Sequence, residues 1–321
     1  MNSDAKSRQG KRGTLSIVVP LYNERESLPE LHEEICRVCE GMDVSFEVLY
    51  VDDGSTDDSF HVLEAMQGRD PRIKVLQFRK NCGKADALSA GFSAAKGEMI
   101  VTMDADLQDD PAEIPRLVEK LNEGYDLVSG WKKKRKDPLS KMVPSRLFNR
   151  VTALFTGIPI HDFNCGLKIY RREVVQFLHV YGELYRYIPV LAKWEGFRIG
   201  EIQVHHRPRK YGKTKYGFSR LLNGFLDLIT VMFLSKYTKR PLHLFGLFGL
   251  FSFLSGSGIT IYLVILRITK ATYLSNRPLL FIGVLLVILG IQFISIGLLG
   301  EMIARSYTPD HRYSIRRTLG V

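Results

Sequence analysis

Two aspartates one residue apart, Asp104 and Asp106, close the apolar run Glu98–Asp104 (EMIVTMD) and are followed by Leu107, Gln108 and Asp109. Carboxylates at i and i+2 in an extended turn can both reach one hard cation, and Mg²⁺ or Mn²⁺ held this way keeps open positions for substrate phosphates. Such an ion would neutralise a departing nucleoside diphosphate as a Lewis acid. A bare D-x-D is common by chance, so its position has to carry the weight. Two more polar clusters fall at equivalent places: Asn23-Glu24 just beyond Leu15–Pro20 (LSIVVP), and Asp52-Asp53 at the end of Glu47–Asp53 (EVLYVDD).

These runs are strands by length and by their β-branched content, and each leads into a helical pattern. Lys74–Arg79 (KVLQFR) is another, followed by a helix over about 84–96. Gly54-Ser55-Thr56-Asp57 offers Ser and Asp to cap the helix after the second strand. Strands alternating with helices predict an α/β domain with a mainly parallel sheet, in which ligands bind beyond the carboxyl ends of the strands. The acids cluster at those ends.

The chain has 321 residues, 45% of them hydrophobic, and 45 Lys+Arg against 34 Asp+Glu give a formal net charge of +11. The excess suits an anionic partner. Basic residues crowd at 132–141 (Lys132, Lys133, Lys134, Arg135, Lys136, Lys141) and at 207–215 (Arg207, Arg209, Lys210, Lys213, Lys215). A helix-turn-helix, zinc or aromatic-platform signature is missing, which argues against nucleic acid as the partner. Cys36 and Cys39 form a C-x-x-C inside a helical run with no second pair to complete a zinc site, so all four cysteines read as reduced packing thiols. Residues 1–13 read as a disordered basic tail.

Apolar residues concentrate near the C-terminus. Residues 242–266 run 25 positions without a formal charge, roughly 37 Å as a helix, and 278–300 give another 23. This predicts a transmembrane hairpin over 241–304, with spans 242–266 and 278–303 joined by a short polar loop, Arg267–Arg277. Phe218, Leu221, Leu222, Phe225, Leu228, Ile229, Met232 and Phe233 recur at helical spacing. They predict an amphipathic juxtamembrane helix within 218–240, seated at the interface. The flanking Lys and Arg place the catalytic domain (14–217) in the cytoplasm, with 305–321 as a cytoplasmic tail.

Val19-Pro20-Leu21-Tyr22-Asn23-Glu24, Val51-Asp52-Asp53-Gly54-Ser55-Thr56-Asp57 and Asp104-Ala105-Asp106, in this order, resemble the inverting glycosyltransferases of family 2, which have the Rossmann-like GT-A fold. The resemblance covers roughly residues 14–215. It implies that Pro20, Tyr22, Glu24 and Asp53, together with Asp104, hold the nucleotide, and that Asp104, Asp106 and Gln108 surround Mg²⁺ or Mn²⁺. Within the family the chain is similar to the polyprenyl-phosphate glycosyltransferases, whose bacterial members carry two C-terminal transmembrane helices. The residues that carry this likeness are Asp162-Phe163-Asn164-Cys165-Gly166-Leu167-Lys168, Tyr187-Ile188-Pro189 and Arg209-Lys210-Tyr211-Gly212-Lys213-Thr214-Lys215-Tyr216.

A glycine-permitted turn presenting Arg209, Lys213 and Lys215 can wrap phosphates. The resemblance further places Lys132, Lys141 and Ser145 at the acceptor phosphate. Asp162 is either a helper carboxylate for catalysis or a structural cap. The function so implied is inverting transfer of a sugar, glucose from UDP-glucose foremost, to undecaprenyl or another polyprenyl phosphate at the inner membrane, by a possible homo-tetramer. GDP-mannose or another UDP-sugar (an aminoarabinose derivative, an N-acetylhexosamine) is the alternative donor. A catalytically inactive lipid-binding scaffold is the alternative of another class. Processive polysaccharide synthases share the first three motifs but need a Gln-x-x-Arg-Trp signature that this sequence lacks.

Overall fold

The fold was obtained as a computed structural model that describes residues 13–133, 149–150, 152–153, 156–177, 184–208, 210–211, 241–270, 278–306 and 314–321. Residues 1–12, the whole 218–240 helix expectation, and the expected site residues Lys141, Ser145, Arg209, Lys213 and Lys215 lie outside the described residues.

The first half runs β1 (Thr14–Leu21), α1 (Leu28–Glu40), β2 (Ser45–Asp52), α2 (Ser59–Gln67), β3 (Ile73–Phe78), α3 (Lys84–Ala94), β4 (Met99–Thr102), α4 (Ile114–Asn122) and β5 (Leu127–Trp131). After it come β6 (Lys168–Arg171), α5 (Arg172–Phe177), α6 (Ile188–Trp194), β7 (Ile199–Gln203), two long helices, α7 (Pro241–Lys270) and α8 (Pro278–Ser306), and β8 (Ile315–Leu319). The strands form one sheet in the order β7-β5-β6-β4-β1-β2-β3-β8. β4, β1, β2 and β3 are parallel, as are β5 and β7; β6 runs antiparallel between β4 and β5, and β8 is antiparallel to β3. This is a GT-A fold with two antiparallel insertions.

The sheet is covered on both faces, as its uninterrupted apolar strands require. Period-two alternation sends Ile17, Val19, Val48 and Tyr50 to one face, where Leu31 and Ile35 of α1 and Leu117 and Leu121 of α4 pack. Val18, Leu49, Val51 and Ile100 face the other side, against Leu88 and Phe92 of α3 and Ile188 of α6. Each fully buried Leu, Ile or Phe contributes about 1.5–3 kcal/mol, against about 0–1 kcal/mol for an exposed ion pair. These two apolar layers hold the sheet; the surface charges do not.

The segment read as a tail, 305–321, is corrected. α8 continues through Ser306, and β8 pairs Val75 with Leu319, Leu76 with Thr318 and Gln77 with Arg317. It is an edge strand exposed at every residue but the partly buried Leu319, and the Arg317 guanidinium lies 5.5 Å from the Phe60 ring centre. The catalytic unit therefore extends beyond 217 to include the end of the chain. The loop expected at 267–277 also shortens, because α7 continues through Lys270.

The second unit is the helix pair. Leu242–Thr269 (28 residues) and Pro278–Gly300 (23 residues) are each long and apolar enough to cross a membrane. Large apolar side chains, among them Leu247, Phe251, Ile268, Phe281 and Ile288, point outward and are exposed. Glycines let the two backbones touch. A Cβ on Gly256 would sit 2.6 Å from the Gly283 carbonyl oxygen, and one on Gly290 would sit 2.6 Å from the Phe253 nitrogen. Small residues at a helix–helix contact are how apolar helices pack without a hydrophobic driving force. Gly256→Ala or Gly290→Ala should each destabilise the pair by about 1–3 kcal/mol, read as a lower Tm of the detergent-solubilised protein, whereas Gly258→Ala, which meets nothing within 4 Å, should not.

Candidate active site

The carboxyl ends of β1, β2 and β4 converge on the acids that the sequence singled out. Asp104 stands two residues beyond β4 and begins a turn that Leu107 closes with φ 61°, left-handed for a non-glycine residue. Leu107 is only 3% exposed, so core packing holds this strained geometry in place. The turn brings Asp109 back beneath Asp104, where Asp109 Oδ2 accepts the Asp104 N–H at 3.1 Å. Asp106 Oδ1 accepts the Gln108 N–H at 3.2 Å.

A second turn, 161–168, closes on the same carboxylates. A Cβ on Gly166 would lie 2.7 Å from Asp104 Oδ2 and 2.8 Å from Asp109 Oδ2, so only glycine lets this backbone approach. Thr102 Oγ1 donates to the Gly166 carbonyl at 2.9 Å. Farther back in the turn, Glu201 Oε1 accepts the His161 and Asp162 N–H groups, and Oε2 meets His161 Nδ1 at 2.7 Å. The His161 ring stacks on Trp131 with centroids 4.2 Å apart. Asp162 is buried and its Oδ1 accepts the Asn164 N–H at 3.2 Å.

Two lysines pair with these acids, and a third lies beside them. Lys84, at the first position of α3, pairs with Asp104 Oδ1, and Lys132 Nζ lies 2.8 Å from Asp109 Oδ1. Lys168 is buried and donates to the Cys165 carbonyl. Burial would raise the Asp104 carboxyl, but the Lys84 and Lys132 ammonium groups outweigh it and hold that carboxyl below its ordinary value. Burial likewise works against charge on Lys84 and Lys132, and Asp104 and Asp109 respectively override it. Lys168 has weaker compensation, and burial lowers it. Lys84, Asp104, Lys168, Tyr185 and Arg186 share a pocket with Pro20.

The nucleotide residues expected from the resemblance divide by role. Pro20 lines that pocket. Tyr22 and Glu24 flank Asn23, whose side-chain oxygen accepts N–H groups from Thr56 (2.8 Å) and Asp57 (3.3 Å); Glu24 N donates to Ser59 Oγ at 3.0 Å. The loops after β1 and β2 are thereby zipped together. Asp53 spends both carboxylate oxygens on the backbone N–H groups of Cys82 (2.7 Å) and Gly83 (2.9 Å), fixing the loop before α3. Burial raises its carboxyl all the same. In the helix-capping turn it is Asp57 Oδ1 that takes the Ser59 N–H, at 3.0 Å.

Lys132, assigned by resemblance to the acceptor phosphate, pairs here with the Asp109 carboxylate. Of the second basic cluster, Arg207 is clamped to Glu34 and Asp110, both at 2.7 Å, and Lys210 to Glu30, also at 2.7 Å. These two anchor the segment to α1 and to the loop after Asp109; the Arg207 N–H also donates to the Gln108 carbonyl at 3.0 Å. Sequence reasoning missed Lys84, Asp109 and Gly166. The signals were in view: Asp109 closes the D-A-D-L-Q-D run, and Lys84 follows a glycine at the mouth of a helix.

Asp104, Asp106 and Gln108 offer two carboxylates and an amide oxygen, a hard-oxygen donor set that fits Mg²⁺ or Mn²⁺. The Lys84 ammonium already sits against Asp104 Oδ1, so the site attracts positive charge.

A doubly covered sheet in the GT-A strand order, with acids and lysines gathered at the ends of its parallel strands, fits a glycosyl transferase. Residues 16–178 match the family described as glycosyl transferase family 2, and the chain belongs to it. Its fold is similar to that of glucosyl-3-phosphoglycerate synthase from Mycobacterium tuberculosis. The structure of that enzyme with Mn²⁺, UDP-glucose and phosphoglyceric acid aligns with a TM-score of 0.55 at 20% identity, over 70% of this chain and 79% of that one. The complex with Mn²⁺ and UDP-glucose aligns with a TM-score of 0.53 at 21% identity, over the same shares. The likeness is one of fold, and it stops short of the two long helices' function.

Two variants test this geometry. Gly166→Ala should lower turnover by about 100-fold, the cost of a displacement of about an ångström at reacting groups, with a circular dichroism spectrum unchanged. Lys132→Met should destabilise the protein by about 3–5 kcal/mol by stranding the buried Asp109 charge, and Asp109→Asn in the same chain should restore much of it. A Lys132→Met protein of normal Tm that fails only in acceptor binding would return Lys132 to the acceptor phosphate.

Proposed function

We propose that this chain transfers a sugar from a nucleotide-sugar, UDP-glucose foremost, to the phosphate of a polyprenyl phosphate such as undecaprenyl phosphate, at the cytoplasmic face of the inner membrane. The observation that carries this reading is the union in one chain of a family 2 glycosyl transferase domain with two helices long and apolar enough to span a bilayer. A soluble acceptor would give such helices nothing to do. Because β8 belongs to the catalytic sheet, α7 and α8 would form a membrane hairpin whose two ends both return to the catalytic side.

In this reading Pro20, Tyr22, Glu24 and the Asp53-braced loop receive the nucleoside. Asp104, Asp106 and Gln108 would hold Mg²⁺ or Mn²⁺, which when bound supplies Lewis-acid stabilisation of the leaving diphosphate. Lys84 and Lys168 line the same pocket and present positive charge to that group. The acceptor phosphate attacks the anomeric carbon opposite the leaving diphosphate, forming the new C–O bond as the old one breaks and inverting configuration. A phosphate monoester is largely doubly ionised near neutral pH, so no strong general base is required. Asp162, buried and capping its own turn, acts by placing Gly166 against the acids. Lys141, Ser145, Arg209, Lys213 and Lys215 would bind the lipid phosphate.

The test is transfer of radiolabelled sugar from a panel of UDP- and GDP-sugars, with undecaprenyl phosphate or 3-phosphoglycerate as acceptor. Label should enter the lipid phase from one donor, vanish with EDTA, and fall roughly 100-fold or more in Asp106→Ala. Label in 3-phosphoglycerate alone would overturn the lipid reading while keeping the enzyme class. A folded protein that binds no donor would support the inactive scaffold.

A further inference from the structure

Away from the catalytic acids, α1 and the turn between α2 and β3 bring three metal-binding side chains to one point. His32 and Cys36 are one helical turn apart and so share a face of α1; Asp70 comes from the turn. Cys36 Sγ lies 3.4 Å from His32 Nε2, His32 Nε2 lies 3.2 Å from Asp70 Oδ2, and Cys36 Sγ lies 3.8 Å from that same oxygen. Bonds of about 2.0–2.3 Å to a tetrahedral Zn²⁺ place sulfur, nitrogen and oxygen ligands about 3.3–3.6 Å from one another. The three atoms therefore already stand near the corners of such a site.

The surrounding groups fit the same reading. Tyr50 OH is 3.3 Å from His32 Nδ1. With Nε2 turned toward an ion, Nδ1–H donates to that hydroxyl oxygen, the outer contact that metal-bound histidines characteristically make. Arg72 grips the carboxylate, donating from Nε at 3.0 Å to Asp70 Oδ1 and from Nη2 at 2.8 Å to Oδ2; the same Nη2 lies 3.6 Å from Cys36 Sγ, and Nη1 reaches Glu40 at 2.8 Å. The guanidinium orients Asp70 but also adds a positive charge, which has to be weighed against binding a cation. Two carboxylates, Asp70 and Glu40, face that one guanidinium, and a divalent cation taken up with loss of the thiol proton brings the group to neutrality.

We propose that His32 Nε2, Cys36 Sγ and Asp70 Oδ2 form a binding site for a borderline divalent cation of the Zn²⁺ class, with a fourth position open to water, that fastens α1 to the α2–β3 turn. On binding, the S–H bond breaks as the S–Zn bond forms, the proton passes to solvent, and no electron is transferred. The thiolate separates this site from the all-oxygen group at Asp104, which favours harder ions. Cys39, one turn on, is fully buried in the core and takes no part.

The full-length protein, purified in detergent and stripped with chelator, should be titrated with Co²⁺. A stoichiometric thiolate-to-cobalt charge-transfer band in the near ultraviolet is expected, abolished by added Zn²⁺ and absent in Cys36→Ser, yet retained in Cys39→Ala and in Asp106→Ala. No such band in the stripped wild-type protein overturns the proposal whatever the variants do. A band that survives in Cys36→Ser overturns it as well. Sugar-transfer activity does not enter either readout, so failure here leaves the proposed reaction untouched.

Discussion

Much about this edge of the sheet follows from setting the partly exposed Asp104 against the buried Asp109. An uncompensated carboxylate buried as Asp109 is costs several kcal/mol, and a second one beside it adds repulsion. Lys84 and Lys132 answer that cost from opposite sides, one from the start of α3 and the other from the end of β5. The left-handed Leu107 and the bare Gly166 backbone are the steric conditions for packing the two acids so closely. The chain thus holds a dense, nearly neutral cluster of fixed charges, ready for a ligand that itself pairs a cation with phosphates.

Around that cluster the loops are braced to one another. The motifs after β1 and β2 exchange hydrogen bonds through Asn23, Ser55 and Ser59. Asp53 ties the second to the loop before α3, and Arg207 joins α1, Asp110 and the Gln108 backbone. Residues that look like ligands when read as letters are here partly the frame that keeps other ligands in place. Preorganisation of this kind lowers the cost of assembling a transition-state site at the moment of reaction.

Much of this could be read from the sequence because its signals are local. Apolar runs of fixed period gave β1 to β4 and their helices within a residue or two, and the acids at strand ends marked the site. What escaped depends on contacts between distant segments. The partner of Lys132 lies 23 positions back in the chain at Asp109, and Gly166 matters only because of carboxylates some 60 positions earlier. All four cysteines are free thiols, as their spacing indicates; what spacing cannot show is that Asp70 reaches Cys36, which only the fold brings about. Ile315–Leu319 escaped for a further reason. A five-residue edge strand with two arginines has no pattern that separates it from a polar tail, and only the open edge of β3 gives it a partner.

That last strand has a consequence for how the protein is made. During synthesis the β3 edge emerges early, yet its partner arrives only after both long helices have been translated. An unpaired edge is a template for wrong pairing, and a contact of such sequence separation is slow to form. The sheet therefore spends its nascent life one strand short until residues 315–319 have been made. A chain stalled or cut before β8 would therefore carry the acids at its strand ends on a sheet whose β3 edge is still open to aggregation.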